Sequence, residues 1–111
     1  MKECKRVGRG RLGGVGILLI AALAAGVSVG YAADPTNGQK IYNQQCASCH
    51  GSDGRGAMPG VPNFTLGMAL MKSDNSLANT ISVGKNVMPG FEGILSEQDI
   101  YDVIAYIRTL H

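Results

Sequence analysis

Cys46-Ala47-Ser48-Cys49-His50 is the stretch from which the rest of the chain is read. Two cysteines three positions apart, with histidine directly after the second, form the C-x-x-C-H attachment pattern of c-type haem. Each thiol can add across one of the two haem vinyl groups and leave a thioether bond. The spacing sets both sulfurs on one helical turn, matched to the separation of the vinyls. The adjacent imidazole then lies under the iron as its proximal ligand. Other uses of the pair fit less well. A structural zinc site needs four ligands, usually two such pairs, and the third cysteine, Cys4, stands alone near the start of the chain. A thioredoxin-like redox pair belongs beside a βαβ pattern, and none follows.

Upstream the composition is that of a leader. Lys2, Lys5, Arg6, Arg9 and Arg11 stand against the single acid Glu3, and residues 12–33 carry no charge. A basic start, an apolar centre over residues 17–25 and small residues at Gly30, Ala32 and Ala33 have the form of a secretory signal peptide, residues 1–32. Cleavage after Ala32 leaves Gly30 at the minus-three position, whereas cleavage after Ala33 leaves Tyr31 there. The alternative is a retained anchor, because the uncharged run is long enough to span a bilayer. Its glycines and short apolar centre favour the leader. Cys4 precedes the apolar run, so it is not a lipidation cysteine. The leader takes five of the ten bases and one of the eight acids. The remaining 33–111 domain is mildly acidic and keeps no basic stripe, which excludes a nucleic-acid partner. A domain of this size buries a marginal core by itself, and a haem would supply the apolar centre it lacks.

The mature part reads as helices and loops. Asp34-Pro35 opens a helix, as a capping acid followed by proline at the first helical position. That helix runs to about Gln45 and delivers the chain to Cys46. Glycines over residues 51–56 mark a loop, and Pro59 and Pro62 exclude regular helix or central strand through Phe64. Ser73 or Asp74 opens a second helix that ends at Gly84. Lys85 to Phe91 is a loop stiffened by Pro89. Ser96 caps the last helix, where Ile100, Val103, Ile104, Ile107 and Leu110 repeat at three- and four-residue steps. Arg108 is placed to complement the negative end of that helix's dipole. No strand-like alternation of useful length appears.

These residues resemble a class I, single-haem bacterial cytochrome c over essentially all of the mature chain. The resemblance rests on Cys46 to His50 followed by Gly51, on Gly38 and Tyr42 ahead of the first cysteine, on Tyr106, and on the Val87-Met88-Pro89-Gly90-Phe91 loop. It implies an all-α fold of three or more helices wrapped around one covalently attached haem c. Gly38 would let the first and last helices cross closely, with Tyr106 packed at the crossing. It implies one-electron transfer in the periplasm, with periplasmic or membrane-bound redox proteins as donor and acceptor. It also implies dependence on the haem-attachment machinery, and a membrane only if the leader is retained. By the same resemblance the Pro62 carbonyl accepts the second ring N–H of His50. The chain departs from many relatives in having no tryptophan, so the propionates have no expected partner.

One residue must close the iron's sixth position. Met58 follows His50 too closely to reach the opposite face. Met68 and Met71 lie in the apolar run 66–71, where methionine usually fills gaps in a core. His111 is the last residue. Met88 lies farther along, in a stiffened loop between two helices, and matches the family's distal-methionine loop. A thioether favours ferrous iron, and two filled axial positions suit electron transfer rather than substrate chemistry. The competing reading is a haem enzyme or gas sensor with a labile sixth ligand.

Overall fold

The structure is a computed structural model that describes residues 30–111. The leader, apart from its last three residues, lies outside the described residues. Four helices follow in order: α1 (Pro35–Gln45), α2 (Ala47–His50), α3 (Asp74–Val83) and α4 (Glu97–Ile107). Two 3-10 turns, Phe64–Leu66 and Met68–Leu70, stand between α2 and α3. Among the described residues the only β pairings are isolated bridges at Lys85–Met88 and Glu92–Leu95. The fold is all-α. No described helix is long and apolar enough to cross a membrane.

The local signals act where the sequence puts them. The Asp34 side chain accepts from the Thr36 N–H, with Pro35 in the first turn of α1. Ser73 accepts from the Ser76 N–H to start α3. Ser96 and Asp99 close a reciprocal capping box at the start of α4. Each such cap is worth about 1 kcal/mol.

Packing centres on α4, against which both α1 and α3 lie. Tyr42 and Ile104 are the deepest large side chains, each 1 % exposed. The helices α1 and α4 cross at Gly38. A Cβ there would stand 1.9 Å from the Asp102 carbonyl oxygen, so only glycine admits the approach. Beside it the rings of Tyr42 and Tyr106 pack 5.2 Å apart at a tilt of 60°. Such tilted aromatic pairs contribute about 0.5–1.5 kcal/mol beyond their buried area.

One expectation is corrected. Met68 and Met71 do not fill the core: they are 77 % and 85 % exposed. In the tight turns of this segment Phe64 and Leu70 take the inward positions, and the methionines are turned outward. Arg108 stands at the end of α4, where the sequence places it, and also reaches across to another segment. It is the C-cap residue, and its guanidinium donates to the carbonyls of Leu70 and Lys72 and pairs with Asp74. This fork fastens the segment before α3 to α4.

Candidate haem site

Helix α1 ends at Gln45, and Cys46 bonds back to the Tyr42 carbonyl. The next turn is α2, with Cys46 as its N-cap and Cys49 and His50 as its last two residues, so the three share one helical turn, closed by the His50 N–H donating to the Cys46 carbonyl at 2.9 Å. The turn is anchored from below: the Tyr42 hydroxyl donates to the Gly51 carbonyl at 2.7 Å. Burial pushes the Tyr42 phenol up to about 12, with smaller contributions from Cys46, Tyr106 and Asp53, so this donor keeps its proton at any working pH.

Both cysteines are free thiols, each half-buried. Burial, and secondarily Cys49, pushes the Cys46 thiol up to about 11. Redox-active C-x-x-C pairs and thiolate metal ligands need the opposite shift.

The His50 ring stacks on Phe64, with centroids 4.9 Å apart and planes within 15°. Burial lowers the His50 pKa, which favours the neutral imidazole that a metal requires. The bond expected from His50 to the Pro62 carbonyl is not formed: Nδ1 is buried and has no hydrogen-bond partner. Stacking on Phe64 holds the plane of the ring and leaves Nδ1 without an acceptor. The loop that carries Pro62 still folds back over α2, since the Gly56 N–H donates to the His50 carbonyl at 2.8 Å and the Ala57 N–H to the Cys49 carbonyl at 2.9 Å. Phe64 carries the ring-positioning role that sequence reasoning missed. Its signal is the Pro62-Asn63 pair ahead of it, because the Asn63 side chain accepts from the Thr65 N–H and starts the turn that points Phe64 inward.

Met88 is set by a tight reversal. Lys85 and Met88 exchange both backbone bonds, at 3.1 and 3.0 Å, and Asn86 takes φ +55° between them, a region asparagine tolerates. Behind the turn, Gly90 lies so close to the end of α3 that a Cβ would meet the Ser82 carbonyl oxygen at 2.6 Å. Met88 itself is half-buried and packs against the core cluster, whereas Val87 beside it is 87 % exposed. Of the other candidates for the sixth position, Met58, Met68 and Met71 are exposed, and His111 is exposed at the chain end.

The donor set fits a haem of the c type: two thiols and an imidazole on one turn, the imidazole neutral and held flat by Phe64, and a thioether on a separate, braced loop. Comparisons with known proteins agree. The family model "Cytochrome C oxidase, cbb3-type, subunit III" matches residues 33–107. Cytochrome c6 of Thermosynechococcus vestitus is 34% identical over 92 residues, which are 81% of this chain and 82% of that protein. The cbb3-type cytochrome c oxidase subunit FixP of Bradyrhizobium diazoefficiens is 39% identical over 80 residues, 69% of this chain but 28% of that longer protein. Among solved structures, cytochrome c6 of the diatom Phaeodactylum tricornutum superposes with a TM-score of 0.58 at 30% identity, covering 68% of this chain and 92% of the other. A chain with this attachment turn, this helical frame and these relatives belongs to the class I monohaem cytochromes c, electron-transfer proteins that hold one covalently attached haem c.

Proposed function

We propose that the chain is exported by residues 1–32 and works outside the cytoplasm as a one-electron carrier whose haem iron would be held by His50 and Met88. Electron transfer with redox partners is the family's work; the leader supports the location, and the placement of His50 and Met88 supports the ligand pair. When bound, the haem supplies an Fe(III)/Fe(II) couple. Cys46 and Cys49 hold the group through thioethers. His50 presents a neutral nitrogen, and Phe64 fixes the plane of its ring. The Met88 thioether is soft and would favour the ferrous state, raising the reduction potential. Were His50 and Met88 both to hold the iron, water and small ligands would be kept from it, so the open-site enzyme or gas-sensor reading is not favoured.

The observation that carries the reading is the half-buried Met88 on a loop braced by backbone contacts, the one methionine outside the leader that is not exposed. The buried orphan on His50 supports a role for Pro62. An unpaired buried N–H costs about 1–3 kcal/mol, so the imidazole needs an acceptor, and the Pro62 carbonyl sits in the loop folded over α2. Donor and acceptor would be periplasmic or membrane-bound redox proteins. They would dock without strong charge steering, since the mature chain has only five scattered bases.

Spectroscopy of the Met88→Leu holoprotein tests the ligand. The ferric sulfur-to-iron band should vanish and the potential fall, while the haem stays attached through Cys46 and Cys49. A band that survives the substitution rejects Met88.

A further inference from the structure

We propose that removal of the leader adds an ion pair to the fold: the new α-ammonium group is held by Asp102 of α4. This rests on the cleavage proposed above and concerns the helix crossing, not the haem turn.

Asp102 is 3 % exposed and is the one buried charged side chain among the described residues. It accepts three hydrogen bonds, each at 2.8 Å: from the Asp34 backbone N–H, from Asn37 Nδ2 and from Gln98 Nε2. All three donors are neutral. The ion pairs among the described residues are Arg55–Asp53 and Arg108–Asp74, so no lysine or arginine there pairs with Asp102. A buried carboxylate without a cation is costly, and its site favours any positive charge that can reach it.

The chain end is already seated there. The Asp34 nitrogen lies on Asp102 Oδ1, and the Ala32 carbonyl accepts weakly from Gln98 at 3.5 Å. Cleavage after Ala32 puts the ammonium on Ala33, one residue or about 3.8 Å of chain from that contact. Cleavage after Ala33 puts it on the Asp34 nitrogen itself. In the uncleaved chain the same nitrogen is a neutral amide, so the ion pair exists only after processing. The other charged groups nearest in sequence on the two helices are Asp34 and Lys40 from α1 and Glu97 and Asp99 from α4. Three of these four are acids.

The test uses the haem-loaded mature protein, its N-terminus identified by mass spectrometry, with the α-amine free or enzymatically acetylated. Acetylation removes the charge and keeps a carbonyl where Ala32 had one. In the wild type it should lower the folded-to-unfolded ratio about fivefold, as followed by guanidinium unfolding. In Asp102→Asn it should change nothing. Equal stability of the free and acetylated wild type, or an equal loss in the variant, overturns the proposal. If the variant does not fold, titration of the wild-type α-amine by NMR decides. A pKa above the ordinary range of about 7.7–8.0 supports capture, and one inside that range overturns it. A leader found intact on the exported protein refutes the cleavage, while residues 33–111 produced with a free amine still report on the ion pair.

Discussion

The α1–α4 crossing and the loop at residues 84–91 both bring backbone against backbone, and they hold it by different means. At the crossing, Gly38 lets two helices touch, and the contact is then sealed by buried side chains: Tyr42, Tyr106, Ile104 and Asp102. At the loop, Gly90 lets the chain touch the end of α3, but of the loop's side chains only Phe91 is buried, with Lys85, Asn86, Val87 and Pro89 open to solvent. The crossing is therefore part of the core and carries global stability. The loop is a bracket on the core's edge, and its purpose is to fix one side chain, Met88. Damage to the first should unfold the protein; damage to the second should change the ligand and leave the fold.

Gly38→Ala is the strongest test of that division. The added Cβ would meet backbone at 1.9 and 2.4 Å, and backbone cannot rotate aside. We expect a loss of about 3 kcal/mol, the upper end of overpacking effects, measured by guanidinium unfolding of the holoprotein. Wild-type stability in this variant denies that the helices touch there.

Asp102→Asn should cost about 2 kcal/mol at pH 7, the scale of hydrogen bonds to a buried charge. The sign of its pH dependence follows from the carboxyl. Burial works to raise its pKa, but the bonds from Asn37, Asp34 and Gln98 outweigh this and hold it below the ordinary 3.8. A depressed carboxyl stabilises the fold above its unfolded pKa and loses that contribution as pH falls through the folded value. The gap between variant and wild type should thus be constant near neutrality and close below about pH 4. A gap unchanged down to pH 2 contradicts the assignment.

Gly90→Ala turns to the loop. Its Cβ meets the Ser82 and Val83 backbone at 2.6 to 2.8 Å, yet the strain can be relieved outward into solvent. We expect about 1.5 kcal/mol of lost stability, with a weakened sulfur-to-iron band well before global unfolding. Loss of stability as large as that of Gly38→Ala, with the band intact, would erase the distinction between the regions. The smallest effect is expected from Tyr42→Phe, which keeps the ring pair and removes only the bond to the Gly51 carbonyl. Its cost is about 1 kcal/mol, seen as a small shift of the unfolding midpoint.

Features written in a few adjacent residues were legible from the chain. The caps at Asp34, Ser73 and Ser96, the attachment pentapeptide and the apolar repeat of α4 all depend on nearest neighbours along the helix, and the structure shows them in place. Met68 and Met71 face solvent, and Arg108 reaches beyond its own helix end, for a common reason. Composition says that a methionine suits a core and an arginine suits a helix end, but it does not say which way a 3-10 turn faces or which distant carbonyls lie within reach. Phe64 and Asp102 escaped notice because their roles exist only across long gaps: one ring meets His50 from the far side of a loop, and one carboxylate gathers donors from both ends of the mature chain.

By itself the sequence determined that two thiols and an imidazole share one turn, that helices flank it, and that a methionine loop follows, because covalent spacing and helix periodicity act over a few residues. Only the tertiary structure decided that Phe64 orients the imidazole, that Arg108 fastens the approach to α3, and that Asp102 sits buried at the chain's beginning. Those contacts join residues far apart along the chain, and their strength comes from burial, which no local pattern records.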